Sequence, residues 1–190
     1  MSEFGLARDY VLFVSTIEPR KDHLTLLRAI ARVPHAPLLV LAGGVGWRCN
    51  SILREIRVAE DAGRVKYVGR VDDDWLPALY SAATISVYPS VDEGFGLPVL
   101  EAMSCGCPVL CSDSSSLPEV GGDAACYFRT GDSEDLARRL TELLGDGDRL
   151  DAMSAAGLNQ ANRFSFRSAA EEILGIIRRG VAPSRRGPGR

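Results

Sequence analysis

Long apolar runs, histidines and paired cysteines are all scarce in this chain of 190 residues. No stretch approaches the roughly 20 consecutive apolar residues that cross a bilayer, and the first residues, MSEFGLARDY, lack the layout of a signal peptide. The five cysteines include no C-x-x-C pair, and the two histidines are distant from them in sequence, which disfavours a zinc site. We therefore expect a cytoplasmic protein with free thiols, which could touch a membrane only at its periphery.

Basic residues are too few for a nucleic-acid surface. Lys and Arg number 22 against 25 Asp and Glu, which gives a formal net charge of −3. Residues 178–190 contain five Arg and no acidic residue, so the rest of the chain is more acidic than this total suggests. An acidic body argues against nucleic-acid binding, because protein cations must neutralise several phosphates there.

Six short apolar runs alternate with segments of helical period, which is typical of β-α units on a parallel sheet. The runs cover residues 10–15, 37–42, 65–68, 84–87, 108–111 and 125–128. Predicted helices cover about 21–33, 50–62, 72–82, 98–105 and 133–144, and two more, 147–162 and 166–179, follow the last run. We predict an α/β fold: a doubly wound, Rossmann-like parallel sheet of about six strands with a C-terminal helical extension.

The predicted division of the chain has one domain and two short ends. Residues 1–9 form a lead segment, 10–180 form the domain, and 181–190 form a basic tail. The tail is rich in Gly, Pro and Arg, a composition that cannot bury a core, and we predict that it is disordered.

A glycine-rich turn follows the fourth predicted strand, at the edge of the sheet where doubly wound folds bind ligands. Gly94 and Gly96 allow a tight turn, and Pro98 suits the first position of a helix. The amides of residues 95–99 would then point out of a helix N-terminus, which attracts phosphate oxygens. Many such turns use glycine for geometry alone, so the turn by itself leaves both interpretations open.

Two carboxylates and two cations accompany this turn. Glu93 and Glu101 flank it, and a carboxylate can accept a hydrogen bond from a sugar hydroxyl on each of its oxygens. We expect both to face the same ligand, although the helix dipole alone would also favour an acid at Glu101. Arg20 and Lys21 follow the first predicted strand and could neutralise a diphosphate there, or could simply begin a solvated helix.

Six sequence blocks resemble, in order, the C-terminal half of retaining GT-B glycosyltransferases of family 4, the group 1 glycosyl transferases. The blocks are TIEPRKD, LAGGVGW, VKYVGRVDDDWLPALYSAA, PSVDEGFGLPVLEAMSCGCPVLCS, SSLPEVGGDAA and GDSEDLARRL, within about residues 10–178. The E-P-R-K form of the first block resembles bacterial enzymes that use GDP-mannose or a similar donor. The resemblance implies the donor-binding half of an enzyme that moves a hexose from a nucleoside diphosphate sugar to a hydroxyl acceptor, with retention and without a metal or other cofactor.

The resemblance also implies a role for each matched residue. Glu93 matches the catalytic-site residue that contacts the donor sugar, Glu101 matches the residue that holds the ribose hydroxyls, and Arg20 and Lys21 match catalytic cations that bind the diphosphate. The other donor-binding positions are Gly44, the nucleobase contacts Arg70 and Val71, and the phosphate-binding turn Gly94, Phe95, Gly96 and Leu97.

Some residues depart from the family pattern or allow two interpretations. Ser15 and Thr16 replace the Gly-Arg of many relatives, so Arg20 is expected to substitute for that arginine. The aspartates 72–74 could suggest a metal site, but they come at the start of the predicted helix, before LPALYSAA, where an Asp would cap it and the others would favour its dipole. Trp47 either lines the donor pocket or packs in the core. The cysteines at 105, 107 and 111 are expected to pack in the core.

The resemblance covers one half of a two-domain enzyme. The chain begins close to the first predicted strand, so we expect an N-terminal acceptor-binding domain to come from the same gene or from a separate subunit. The alternative is a noncatalytic nucleotide-sugar binding module, or a subunit completed by a separate chain. An NAD-type oxidoreductase is disfavoured, because no G-x-G-x-x-G follows the first strand. A sugar-nucleotide epimerase of the same fold is a narrower alternative.

Overall fold

Six parallel strands form a single sheet in the computed structural model, which describes residues 5, 6 and 9–180. The strands are β1 Val11–Val14, β2 Leu39–Ala42, β3 Val65–Gly69, β4 Ile85–Tyr88, β5 Val109–Ser112 and β6 Cys126–Phe128. Their order across the sheet is β3-β2-β1-β4-β5-β6, and every neighbouring pair is parallel. The predicted doubly wound α/β fold is confirmed, with each strand within two residues of its predicted ends.

Helices connect the strands and extend beyond the last one, as predicted. They are α1 His23–Arg32, α2 Asn50–Asp61, α3 Leu76–Ala82, α4 Leu97–Ser104, α5 Leu117–Gly121, α6 Ser133–Leu144, α7 Gly147–Ala161 and α8 Phe166–Gly180. Short 3-10 turns cover Pro19–Lys21, Asp73–Trp75 and Gly122–Ala124. The sequence analysis missed α5, because a helix of five residues is too short to show a helical period.

The core lies on both faces of the sheet. Strands β2, β4 and β5 are buried along their whole length, which explains their continuous apolar sequence. On one face α6 packs against α1 and buries Leu136, Leu140 and Leu143. Cys107 and Cys111 lie in the core and Cys105 packs against it, so the predicted packing role of these free thiols is confirmed.

The helix predicted at 72–82 begins later than expected, after a 3-10 turn. A 3-10 turn occupies Asp73–Trp75, α3 starts only at Leu76, and no side chain caps either segment. The predicted aspartate cap is therefore wrong. The 3-10 turn holds the aspartates away from the start of α3, and Pro77 in its first turn has no N–H to be capped.

Helix α8 exposes several large apolar side chains. Phe166 is 83% exposed, and Ile173, Leu174, Ile176 and Ile177 are also exposed. No described helix is long and apolar enough to cross a membrane. The predicted basic tail, 181–190, lies outside the described residues, as does most of the predicted lead segment, 1–9.

The strand order reverses between β1 and β4, and the loops after β1 and β2 contact each other next to this point. Beyond the strands, Ile17 forms a parallel bridge with Val45. Gly43 has φ +146°, and a Cβ atom added to it would lie 1.9 Å from the Ser15 carbonyl oxygen. Only glycine allows the two loops to approach this closely.

We predict that Gly43→Ala strongly destabilises the fold. The added methyl group would collide with the Ser15 backbone, so the free energy of unfolding should fall by about 3 kcal/mol or more. Gly44→Ala is the matched control: its Cβ would meet nothing within 4 Å, and we expect a change of about 0.5 kcal/mol or less. Urea unfolding followed by circular dichroism measures both; equal stability of the two variants would contradict the close approach.

Candidate functional site

Lys21, Arg20 and Glu93 form an ion cluster where the strand order reverses. Lys21 Nζ lies 2.6 Å from Glu93 Oε1, and Arg20 donates from Nη1 to Glu93 Oε2 at 3.1 Å. Ser90 adds a hydrogen bond from Oγ to Glu93 Oε1 at 2.7 Å. The structure thus brings together the three residues that the sequence analysis placed at the catalytic centre, from the loops after β1 and β4.

The Glu93 carboxylate stays ionised in this environment. Its side chain is only 9% exposed, and burial alone would raise its pKa. Hydrogen bonds from Lys21 and Ser90, together with the charges of Lys21 and Arg20, outweigh burial and lower the pKa below its ordinary value. Glu93 is therefore a fixed acceptor of hydrogen bonds at neutral pH.

Arg20 joins Glu93 to a second buried carboxylate, Glu18. Its Nη2 donates to Glu18 Oε1 at 2.8 Å, and Trp47 Nε1 donates to Glu18 Oε2 at 3.0 Å. The Trp47 indole is nevertheless 55% exposed, so it is not part of the core. Glu18 was missed from the sequence, because its role depends on contacts with a neighbouring loop.

The turn before α4 presents unpaired amides. Gly96 is the N-cap of α4 with φ +100°, and no side chain caps the helix. Among the described residues, no acceptor lies within hydrogen-bonding reach of the amides of Gly94, Phe95, Gly96 and Leu97. One part of the prediction is wrong: the Val99 amide donates to the Gly96 carbonyl at 3.0 Å, because the first turn of α4 is tight.

Glu101 lies on α4 and borders a cavity of about 520 Å³. The hydroxyl of Tyr80 on α3 donates to Glu101 Oε2 at 3.1 Å. Leu97 and Asp73 line the same cavity, so it connects the end of the amide-bearing turn to the loop after β3. Tyr80 and Asp73 were not among the predicted site residues, although both belong to the block VKYVGRVDDDWLPALYSAA that carries the resemblance.

The remaining predicted residues, Arg70, Val71 and Gly44, differ in their exposure and in their contacts. Arg70 is exposed, whereas the Val71 side chain is only 8% exposed and belongs to the core. Val71 can thus offer a ligand little more than its backbone. The Gly44 carbonyl accepts a hydrogen bond from the Ile17 amide at 2.8 Å, which helps to hold the loops after β1 and β2 together.

His23 lies in α1 directly behind the ion cluster. Its ring packs against Phe13 with centroids 4.7 Å apart, and Nε2 lies 3.3 Å from Ser15 Oγ. Within the described part of the chain, Nδ1 is buried without a partner. Burial and then the charge of Lys21 lower the pKa of His23 to about 4, so the ring is neutral at physiological pH. No group of three or more metal-ligating side chains occurs among the described residues.

Solved structures that superpose well on this chain include glycosyltransferases of the GT-B class. Sucrose-phosphate synthase from Thermosynechococcus elongatus superposes with a TM-score of 0.83 at 28% identity, over 96% of this chain and 48% of that chain. HepE of Anabaena, solved in complex with UDP and glucose, superposes with a TM-score of 0.81 at 23% identity, over 93% of this chain and 50% of that one. The α/β Rossmann-like sheet described above thus matches about half of a GT-B glycosyltransferase structure.

Sequence comparison identifies the family. The profile described as "Glycosyl transferases group 1" matches residues 3–160, and the chain belongs to this family. O-antigen chain mannosyltransferase B of Escherichia coli is 39% identical over 179 residues, which are 92% of this chain and 47% of that protein. The Escherichia coli serotype-specific mannosyltransferase WbdA is 36% identical over 177 residues, 88% of this chain and 21% of that protein. The chain therefore spans half or less of the length of these relatives.

We predict that His23 makes stability depend on pH in the weakly acidic range. The unfolded chain takes up a proton near pH 6.5, whereas the folded chain does so only near pH 4, so the fold loses stability as the pH falls between these values. From pH 7 to pH 5 the wild type should lose about 2 kcal/mol more than His23→Leu.

Urea unfolding at the two pH values tests this expectation. His35→Asn is the control, because His35 is exposed and its substitution should leave the pH dependence of the wild type unchanged. A His23→Leu variant with the same pH dependence as the wild type would show that His23 is not held neutral.

Proposed function

We propose that this chain is the donor-binding half of a retaining glycosyltransferase, which moves a hexose from a nucleoside diphosphate sugar to a hydroxyl acceptor. The observation that carries the proposal is the convergence of Lys21, Arg20 and Glu93 beside the unpaired amides of the turn before α4. Cations and amides of this kind bind a diphosphate, and a fixed carboxylate binds the hydroxyls of a sugar.

The leaving diphosphate is the group that most needs stabilisation in such a transfer. The Lys21 ammonium has N–H donors to spare after its bond to Glu93, and the amides of Phe95, Gly96 and Leu97 have no competing acceptor in the described region. These donors would stabilise the charge that develops on the diphosphate oxygens. Because these hydrogen-bond donors would already lie at the diphosphate, we propose that the reaction is independent of a metal ion.

Glu93 would contact the donor sugar. It is buried and held by Lys21, Arg20 and Ser90, and these contacts lower its pKa, so an ionised carboxylate is kept in one position. It would orient the hexose and stabilise the positive character of the anomeric carbon. We assign no covalent nucleophile, and the leaving phosphate would assist removal of the acceptor proton on the face where it departs, which gives retention.

The nucleoside end of the donor would lie along α4. Glu101 borders the cavity between α3 and α4, where its free carboxylate oxygen can accept a ribose hydroxyl. Arg70 and the backbone of Val71 would contact the base. GDP-mannose is the favoured donor because the relatives of highest identity given above are named mannosyltransferases, and a UDP-sugar is the second choice.

An acceptor-binding domain, in the same protein or in a separate chain, would complete the enzyme. This proposal agrees with the length of the match, because the chain spans 47% of O-antigen chain mannosyltransferase B. The complete enzyme would work in the cytoplasm, with membrane contact only at its periphery. A noncatalytic nucleotide-sugar module is the alternative; it would bind the same nucleotide, but no complex containing it would transfer a sugar.

We predict that the chain binds one nucleoside diphosphate without a metal. Calorimetric titration with GDP, UDP, GDP-mannose and UDP-glucose in the presence of EDTA should show saturable binding, strongest for the GDP pair. Lys21→Ala and Glu101→Ala should each weaken binding by about tenfold, because each removes a hydrogen bond to a charged group.

Arg54→Ala is the control, since Arg54 is an exposed cation on α2 that should leave the affinity unchanged. Binding that appears only after Mg²⁺ is added would contradict metal independence. No binding by the folded chain at millimolar nucleotide would contradict the proposed function itself.

A further inference from the structure

Two buried tyrosine hydroxyls donate hydrogen bonds to α4 from the core. Tyr80 is 1% exposed and donates to Glu101 Oε2 at 3.1 Å. Tyr88, at the end of β4, is 2% exposed and donates to the Pro98 carbonyl at 2.8 Å. The two hydroxyl oxygens lie 3.4 Å apart, so together they reach both the start of α4 and its carboxylate.

These hydroxyls belong to a buried polar network that crosses the core. Ser86 is fully buried, and its Oγ lies 2.9 Å from the Tyr88 hydroxyl and 3.2 Å from the Leu12 carbonyl. Apolar residues could fill this space without the cost of desolvating polar groups. A network that leads from β1 to an exposed carboxylate therefore indicates a purpose other than stability.

Tyr80 keeps its phenolic hydrogen, and so remains a hydrogen-bond donor, at neutral pH. Burial, followed by the neighbouring Tyr88 and Glu101, raises the pKa of its phenol far above the ordinary value. Its hydrogen is therefore present for Glu101. The carboxylate of Glu101 cannot supply a hydrogen of its own while it is ionised.

Glu101 needs such a partner because it is otherwise free to move. It is exposed on a helix of only eight residues, and Tyr80 is the one hydrogen-bond partner of its carboxylate among the described residues. A glutamate in this setting adopts several rotamers, and binding a ligand would cost the entropy of fixing one of them. The hydrogen bond to Oε2 fixes the carboxylate in advance and leaves Oε1 free to accept.

We propose that Tyr80 is a positioning residue, which holds the Glu101 carboxylate in the orientation that accepts the ribose hydroxyls of the nucleotide. This inference rests on the proposed function, because it takes Glu101 as the ribose contact. Its specific consequence is that removing the Tyr80 hydroxyl weakens the contribution of the ribose hydroxyls and leaves the contributions of the phosphates and the base unchanged.

Discrimination between GDP and 2′-deoxy-GDP tests the inference in the intact chain, with UDP and 2′-deoxy-UDP if the protein prefers uracil. In the wild type we expect the deoxy analogue to bind about tenfold more weakly. In Tyr80→Phe this ratio should fall to about threefold or less, and Glu101→Ala should abolish it. Tyr80→Phe keeps the ring and its packing, and thermal unfolding checks that the variant is folded at the assay temperature.

Tyr10→Phe is the matched control. Tyr10 is also buried, at 2% exposure, and its hydroxyl donates at 2.7 Å to the carbonyl of Leu79, the residue before Tyr80. Its loss should change stability without changing the ratio. An unchanged ratio in Tyr80→Phe, or an equal loss of affinity for both nucleotides, would show a merely structural role and overturn the inference. A wild type that binds neither nucleotide would overturn the proposed function as well.

Discussion

The ion pair between Lys21 and Glu93 is the interaction on which the site depends. It joins the loop after β1 to the loop after β4 where the strand order reverses, and the Val91 amide strengthens this junction by donating to the Arg20 carbonyl at 2.9 Å. Serines from the loop after β5 fix the Glu93 backbone: Ser115 Oγ accepts from its amide and Ser116 Oγ donates to its carbonyl. Three loops thus converge on one carboxylate, which is buried yet ionised.

Two sets of side-chain contacts with different chemistry support the site. Where the loops after β1 and β4 meet, the charged side chains of Lys21 and Arg20 hold Glu93. At α4, the neutral phenols of Tyr80 and Tyr88 hold Glu101 and the first turn of the helix from within the core. Helix α4 is short and has no side-chain cap, so it depends on this support more than a long amphipathic helix would. The turn that contains Gly96 connects these two sets of contacts.

The sequence was sufficient for features that depend on neighbours along the chain. Buried parallel strands are apolar on both faces, so runs such as Val11–Val14 were recognisable, and the loops at their carboxyl ends indicated Arg20, Lys21 and Glu93. Features that depend on contacts between elements were missed. Tyr80 looked like an ordinary helix residue, Glu18 is held by Trp47 from a neighbouring loop as well as by Arg20, and an aspartate cap was expected where a 3-10 turn intervenes. Periodicity contains no information about which side chains meet across loops.

The pairing of charges in the ion cluster has a consequence for ionic strength. Arg20 and Lys21 are matched by Glu18 and Glu93, so the cluster has no formal net charge. A cluster without net charge generates little field beyond its immediate surroundings, and it does not attract an anion from a distance as a group of unpaired cations would. An anionic ligand would be held through short, directional hydrogen bonds, and the cluster itself would add little salt dependence to its rate of association.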